Sequence, residues 1–171
     1  MTDAPTREAA ERQRLLDFLH ELDIDAPVAP YPSHSTIEEV KRLRGSMAGT
    51  FTKNLLLKDK KGRLFFVTAF EDTVIDLKSL HTRVGARGRL GFAAAETLQD
   101  VLHVLPGAAT PLALINDTQN EVTLVIDASL EGAQQLNFHP MVQTESIGLS
   151  SEQFATFITA CGKDPIVVAL D

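Results

Sequence analysis

The sequence predicts an α+β fold: a single domain over residues 1–171, with a mixed, mostly antiparallel, barrel-like sheet flanked by helices. Three observations predict it. Two amphipathic helical stretches come before the first clear strand. The apolar runs that follow fall in pairs around turn residues, as hairpins do. The strict strand–helix alternation of a doubly wound parallel sheet is missing. A length of 171 residues suits one domain, and 44% hydrophobic residues can build its core.

The elements follow in order. Over residues 6–22, Leu15, Leu16, Phe18, Leu19 and Leu22 recur at helical spacing among charged residues. A proline-rich connector at 27–32 leads to Ser35 and Glu38, spaced as a capping box for a second helix through Ile37, Val40 and Leu43. Apolar runs at 54–58 and 64–69 enclose the turn Asp59-Lys60-Lys61-Gly62 and predict a hairpin. Residues 75–80 predict a short helix, 84–91 a Gly- and Arg-rich loop, and 94–102 another helix. A second hairpin is expected from 112–115 and 122–127 around the turn residues 116–120. A strand at 136–139 follows, then a helix capped by Ser150 and Gln153 and ended by Gly162, and a last strand at 166–170.

Composition narrows the function. A net charge of −7 argues against wrapping a long nucleic acid, whose affinity comes mostly from phosphate neutralisation. Local basic clusters remain at 41–44, at 58–63, and at Arg83, Arg87 and Arg89. No apolar run approaches the roughly 18 residues of a membrane helix, and the acidic start is unlike a signal peptide. A cytoplasmic protein is expected, with neither membrane nor DNA as partner. Cys161, the one cysteine, has no local ligand partner, which leaves helix-end packing as its role. His20, His34, His81, His103 and His139 lack metal-ligand spacing, so no metal site and no cofactor are expected. Nucleophile-elbow, P-loop and dinucleotide fingerprints are absent as well.

Three features remain: Lys53 at the edge of an apolar strand, the loop Gly107-Ala108-Ala109-Thr110-Pro111, and His139 beside Pro140. Each alone is ordinary. Together with Thr52-Lys53-Asn54-Leu55, Phe92-Ala93, Val125-Ile126-Asp127 and Phe138-His139-Pro140, they stand in an order that resembles the YbaK/ProX family. Those proteins are aminoacyl-tRNA deacylases related to the editing insertion of prolyl-tRNA synthetase. The resemblance covers about residues 31–170, leaving 1–30 as an N-terminal helix and connector. It is strongest toward stand-alone alanyl-tRNA(Pro) deacylases.

The resemblance implies a hydrolase that removes alanine from mischarged tRNA(Pro), without a metal, and with prolyl-tRNA synthetase as a second partner. By it, Lys53 matches the family lysine near the terminal adenosine, Gly107 and Pro111 match the loop that holds the aminoacyl end, and His139 matches the pocket histidine. Lys53, Gly107 and His139 are the expected catalytic group. Asn54, Ala108, Ala109, Thr110, Pro111 and Pro140 are the expected substrate contacts. Arg42, Arg44, Arg87 and Arg89 are the expected tRNA contacts, from charge alone. Two departures, Leu56 where an aromatic is common and Gln143-Thr144 where Asn-Thr is frequent, bear on side-pocket specificity. Two alternatives stay open: hydrolysis of cysteinyl, seryl or threonyl esters by the same site, or a non-catalytic module that binds tRNA or a synthetase.

Overall fold

The computed structural model describes residues 4–31, 36–44 and 48–171. The first helix, α1 (Ala4–Glu21), turns Leu15 and Leu19 inward, one helical turn apart and both buried. After a short edge strand, β1 (Val28–Pro30), comes α2 (Ile37–Arg44). Its cap lies one residue beyond the expected position: the Glu39 amide donates to Thr36 Oγ1 at 3.0 Å. Ser35 and His34 lie outside the described residues.

The expected first hairpin is present as β2 (Thr50–Lys58) and β3 (Leu64–Phe70), antiparallel from Thr52↔Phe70 to Lys58↔Leu64. Its turn is closed by Asp59, whose carboxylate accepts from the amides of Lys61 at 2.9 Å and Arg63 at 2.8 Å. Gly62 supplies the left-handed φ of 85° that a side chain would resist.

Two expectations are corrected in the next stretch. The short helix is α3 (Leu80–Val84), not 75–80. Before it, the Asp76 carboxylate accepts from the Lys78 amide and Ser79 Oγ, a local turn that competes with helix. Then come β4 (Gly91–Phe92) and α4 (Ala95–Leu102). The second correction is at 111–116, which form a 3-10 helix rather than a hairpin arm. Pro111 presets its first dihedral, and Thr110 Oγ1 accepts from the Leu112 amide. Accordingly β5 (Val122–Asp127) pairs parallel to β3, and 71–121 form the long crossover that parallel pairing demands.

The chain closes with β6 (Leu136–Phe138), β7 (Glu145–Leu149), α5 (Ser151–Ala160) and β8 (Ile166–Val168). The Ser150–Gln153 capping box on α5 is formed in full. Strand order is β1-β7-β6-β2-β3-β5-β8, with β4 beside β2. One sheet face, carrying Leu56, Phe66, Leu124 and Phe138, packs on the helices through Leu15, Leu98 and Phe157. The other, carrying Leu57, Phe65, Val67 and Val125, packs under Leu80 and Val84 of α3. Among the described residues no helix is long and apolar enough to cross a membrane.

Candidate functional site

Strand alternation decides where the candidate side chains point. In β2, Phe51, Lys53, Leu55 and Leu57 share one face, because Lys53 pairs with Ala69 and Leu57 with Phe65, both in the core under α3. In β6 the parallel partner of Phe51 is Asn137. The ladder stops at that pair and β6 at Phe138, so His139 lies just beyond it; the bond from Thr52 Oγ1 to the Asn137 carbonyl holds the two stretches together at this end. Their surroundings are aromatic: the His139 ring meets Tyr31 edge-on at 4.9 Å, and Tyr31 lies 6.2 Å from the Phe51 ring. His139 Nδ1 is 2.8 Å from the Glu145 carbonyl oxygen, which fixes the ring and selects the tautomer protonated at Nδ1. Lys53 is half-buried, and among the described residues its ammonium has neither hydrogen bond nor ion pair.

The glycine loop comes against the turn that follows His139. A Cβ on Gly107 would stand 2.9 Å from the end of the Gln143 side chain, so the loop and the 140–144 turn are in close approach. Within the loop the amides divide. Ala108 N–H donates to the Leu105 carbonyl at 2.9 Å and Ala109 N–H to Pro106 at 3.3 Å. Gly107 and Thr110 make no such bond among the described residues. The Thr110 hydroxyl already caps the following 3-10 helix. Ala108, Thr110, Pro111 and Pro140 are buried, Ala109 half-buried and Gly107 exposed.

Asn54 lies on the opposite face of β2 from Lys53. Its Nδ2 donates to Thr52 Oγ1 at 3.1 Å and its Oδ1 accepts from Thr68 Oγ1 at 2.9 Å. Thr52 Oγ1 donates in turn to the Asn137 carbonyl. This polar chain ties β3, β2 and β6 together on the face of β2 opposite Lys53.

The basic residues separate into two kinds. Arg44 is spent: its side chain is 8% exposed, ion-paired with Glu71 and laid over the Phe51 ring at 3.7 Å. Its guanidinium is therefore not an open cation for tRNA. Lys41 pairs with Asp72 at 2.6 Å. Arg42, Arg87 and Arg89 are exposed. Cys161 caps the end of α5, and burial pushes its thiol up to about 12, which makes it unreactive.

Sequence reasoning singled out Lys53 and His139 but missed Tyr31 and Phe51 beside them. Phe51 was recognisable as the same-face neighbour of Lys53 two residues earlier. Tyr31, the one tyrosine of the chain, is brought to the site by the β1–β7 pairing and the bond from its amide to the Thr144 carbonyl.

Comparison with known proteins gives the family and the fold. Residues 31–157 match the family described as "Aminoacyl-tRNA editing domain". The chain is 38% identical over 164 residues to prolyl-tRNA synthetase associated domain-containing protein 1 of Xenopus laevis, covering 94% of this chain and 97% of that protein. It is 33% identical over 152 residues to the prolyl-tRNA editing protein ProX of Acetoanaerobium sticklandii, covering 88% and 92%. A solved structure of a candidate trans-editing enzyme for prolyl tRNA synthetase superposes with a TM-score of 0.70 at 16% identity, over 94% of this chain and 96% of that one. That last likeness bears on the fold.

Proposed function

The chain belongs to the YbaK/ProX family of aminoacyl-tRNA editing domains, and on that premise we propose that it hydrolyses the aminoacyl ester of mischarged tRNA(Pro), with alanine as the amino acid removed. The observation that carries the reading is the unpaired Lys53 on the face of β2 that carries Phe51, with Tyr31 reaching from Phe51 to the oriented His139 and the Gly107 loop meeting the turn that follows it. An aminoacyl ester is already activated. The site need only orient it, deliver water and stabilise the developing oxyanion.

Each group then has a role. The Lys53 ammonium, a compact charge with no internal acceptor, binds the phosphate or ribose of the terminal adenosine. The amide of the exposed Gly107, not used within the loop, donates to the oxyanion. His139, held through Nδ1, presents Nε2 to orient the substrate. The free 2′-hydroxyl of the terminal ribose both donates and accepts, and positions the attacking water. Proline is excluded by size, since exclusion by clash in a small cavity discriminates better than one methylene of binding energy, about 1 to 3 kcal/mol.

The test is a panel: tRNA(Pro) charged with alanine, serine, cysteine or proline, incubated with the purified protein. Rapid loss of alanine with proline spared is the expected result. Preferred loss of serine or cysteine would move the specificity, and stability of all four esters would refute the hydrolase.

A further inference from the structure

Two basic segments far apart in sequence are stitched into one surface. Asp59, 4% exposed, accepts from the amides of Lys61 and Arg63 in its own turn and also from the Arg87 amide at 2.9 Å. The Lys60 amide donates back to the Arg87 carbonyl at 3.0 Å. Gly88, with φ of 85°, lets the loop pass so close that a Cβ there would lie 2.7 Å from the Lys60 side chain. Burial alone would push the Asp59 carboxyl upward, but those three amides hold it below its ordinary value, so the pin stays anionic.

The result is that Lys58, Lys60, Lys61, Arg87 and Arg89 stand exposed together, and among the described residues none is in an ion pair. The adjoining β4 pairs Leu57 with Phe92 and Lys58 with Gly91, and Phe92 is 67% exposed at the edge of this patch. In a chain of net charge −7, two segments of unpaired cations pinned together, with an uncovered aromatic ring on the strand that pairs beside Lys58, call for a polyanion with flat faces. Phosphates satisfy the cations and a base satisfies the ring.

We propose that this patch is a docking surface for the tRNA outside the reaction site, with Phe92 stacking a base and the lysines and arginines holding the flanking phosphates. The proposal rests on the aminoacyl-tRNA reading and extends it to the body of the substrate. Register supports it: Phe92 pairs with Leu57, on the face of β2 that carries Lys53, so the ring stands on the side of the sheet that presents the candidate site.

Binding of unacylated tRNA(Pro) across a salt series tests the surface without any chemistry. The triple variant Lys58→Gln, Lys60→Gln, Lys61→Gln should lower the slope of log affinity against log salt by about two to three. Phe92→Ala should weaken binding about fivefold or more at fixed salt. Thermal melts of both variants check that they are folded. Wild-type affinity and slope in both folded variants, or no tRNA binding by the wild type, would overturn the proposal. A wild type that hydrolyses no ester yet binds tRNA through these residues would refute the hydrolase and leave the patch standing. Hydrolysis of alanyl-tRNA(Pro) together with unaltered binding in both variants would remove the patch alone.

Discussion

Lys163 and Lys53 are the same residue type used in opposite ways. The Lys163 side chain is 3% exposed, and its ammonium donates to Asp117 at 2.5 Å, Asn120 at 2.7 Å and the Val122 carbonyl at 2.7 Å. Lys53 is half-buried on a strand and finds no acceptor among the described residues. A charge withdrawn from water is tolerated only when it is paired and fully hydrogen-bonded, so the first lysine belongs to the fold. The second is left without an internal partner among the described residues, as the proposed role at the substrate requires. The same contrast separates Arg44 and Lys41, each paired with an acid, from the unpaired cations of the two pinned segments.

If that division is right, damage to the two regions should register in different measurements. The largest loss of stability is expected at Lys163. Lys163→Met leaves the Asp117 carboxylate buried without its counter-ion and should cost about 3 to 5 kcal/mol in denaturant unfolding. A smaller effect should appear in acid. Burial raises the Asp117 carboxyl, but the Lys163 ammonium and the amides of Glu121 and Val122 more than offset it, so it titrates lower when folded than unfolded. Its contribution is complete above about pH 3.9, the unfolded value, and is lost as pH falls through the folded one. Unfolding midpoints followed from pH 7 to pH 2 should fall less steeply at the acid end in Asp117→Asn than in the wild type.

Smaller again is the cap of α5: Ser150→Ala removes the acceptor of the Gln153 amide and should cost about 1 kcal/mol in thermal unfolding. The smallest stability change is expected at Gly107. A new side chain there meets only the movable end of Gln143, so Gly107→Val should shift stability by less than about 1 kcal/mol. Because it crowds the loop beside His139, it should slow deacylation about tenfold or more. A wild-type rate in that variant would take the loop out of the site.

Much of the architecture was legible because local chemistry announced it. The Ser150–Gln153 box, the Asp59–Gly62 turn and the helical spacing of Leu15 and Leu19 all recur in the structure. Residues 112–115 misled because a four-residue apolar run has no period to tell a strand from a buried helical turn. β1 was hidden in a proline-rich connector, where Pro30 is tolerated because the strand lies at the sheet edge. In the site, Lys53 and His139 were recognisable from the order of motifs. That the Tyr31 ring reaches from Phe51 to His139 was not, since it depends on pairings between distant strands. Nor could the sequence reveal that two basic segments merge, because the link is a buried carboxylate reaching amides in both.

The central claim is that Lys53 is kept free for the substrate. Single-turnover hydrolysis of alanyl-tRNA(Pro), with protein in excess and rates referred to folded molecules, tests it on the wild type, Lys53→Ala and Lys163→Met. The predicted pattern is a loss of about a hundredfold or more in Lys53→Ala with its unfolding midpoint unmoved, and a near-wild-type rate per folded molecule in the destabilised Lys163→Met. A folded Lys53→Ala that hydrolyses the ester as fast as the wild type would contradict it.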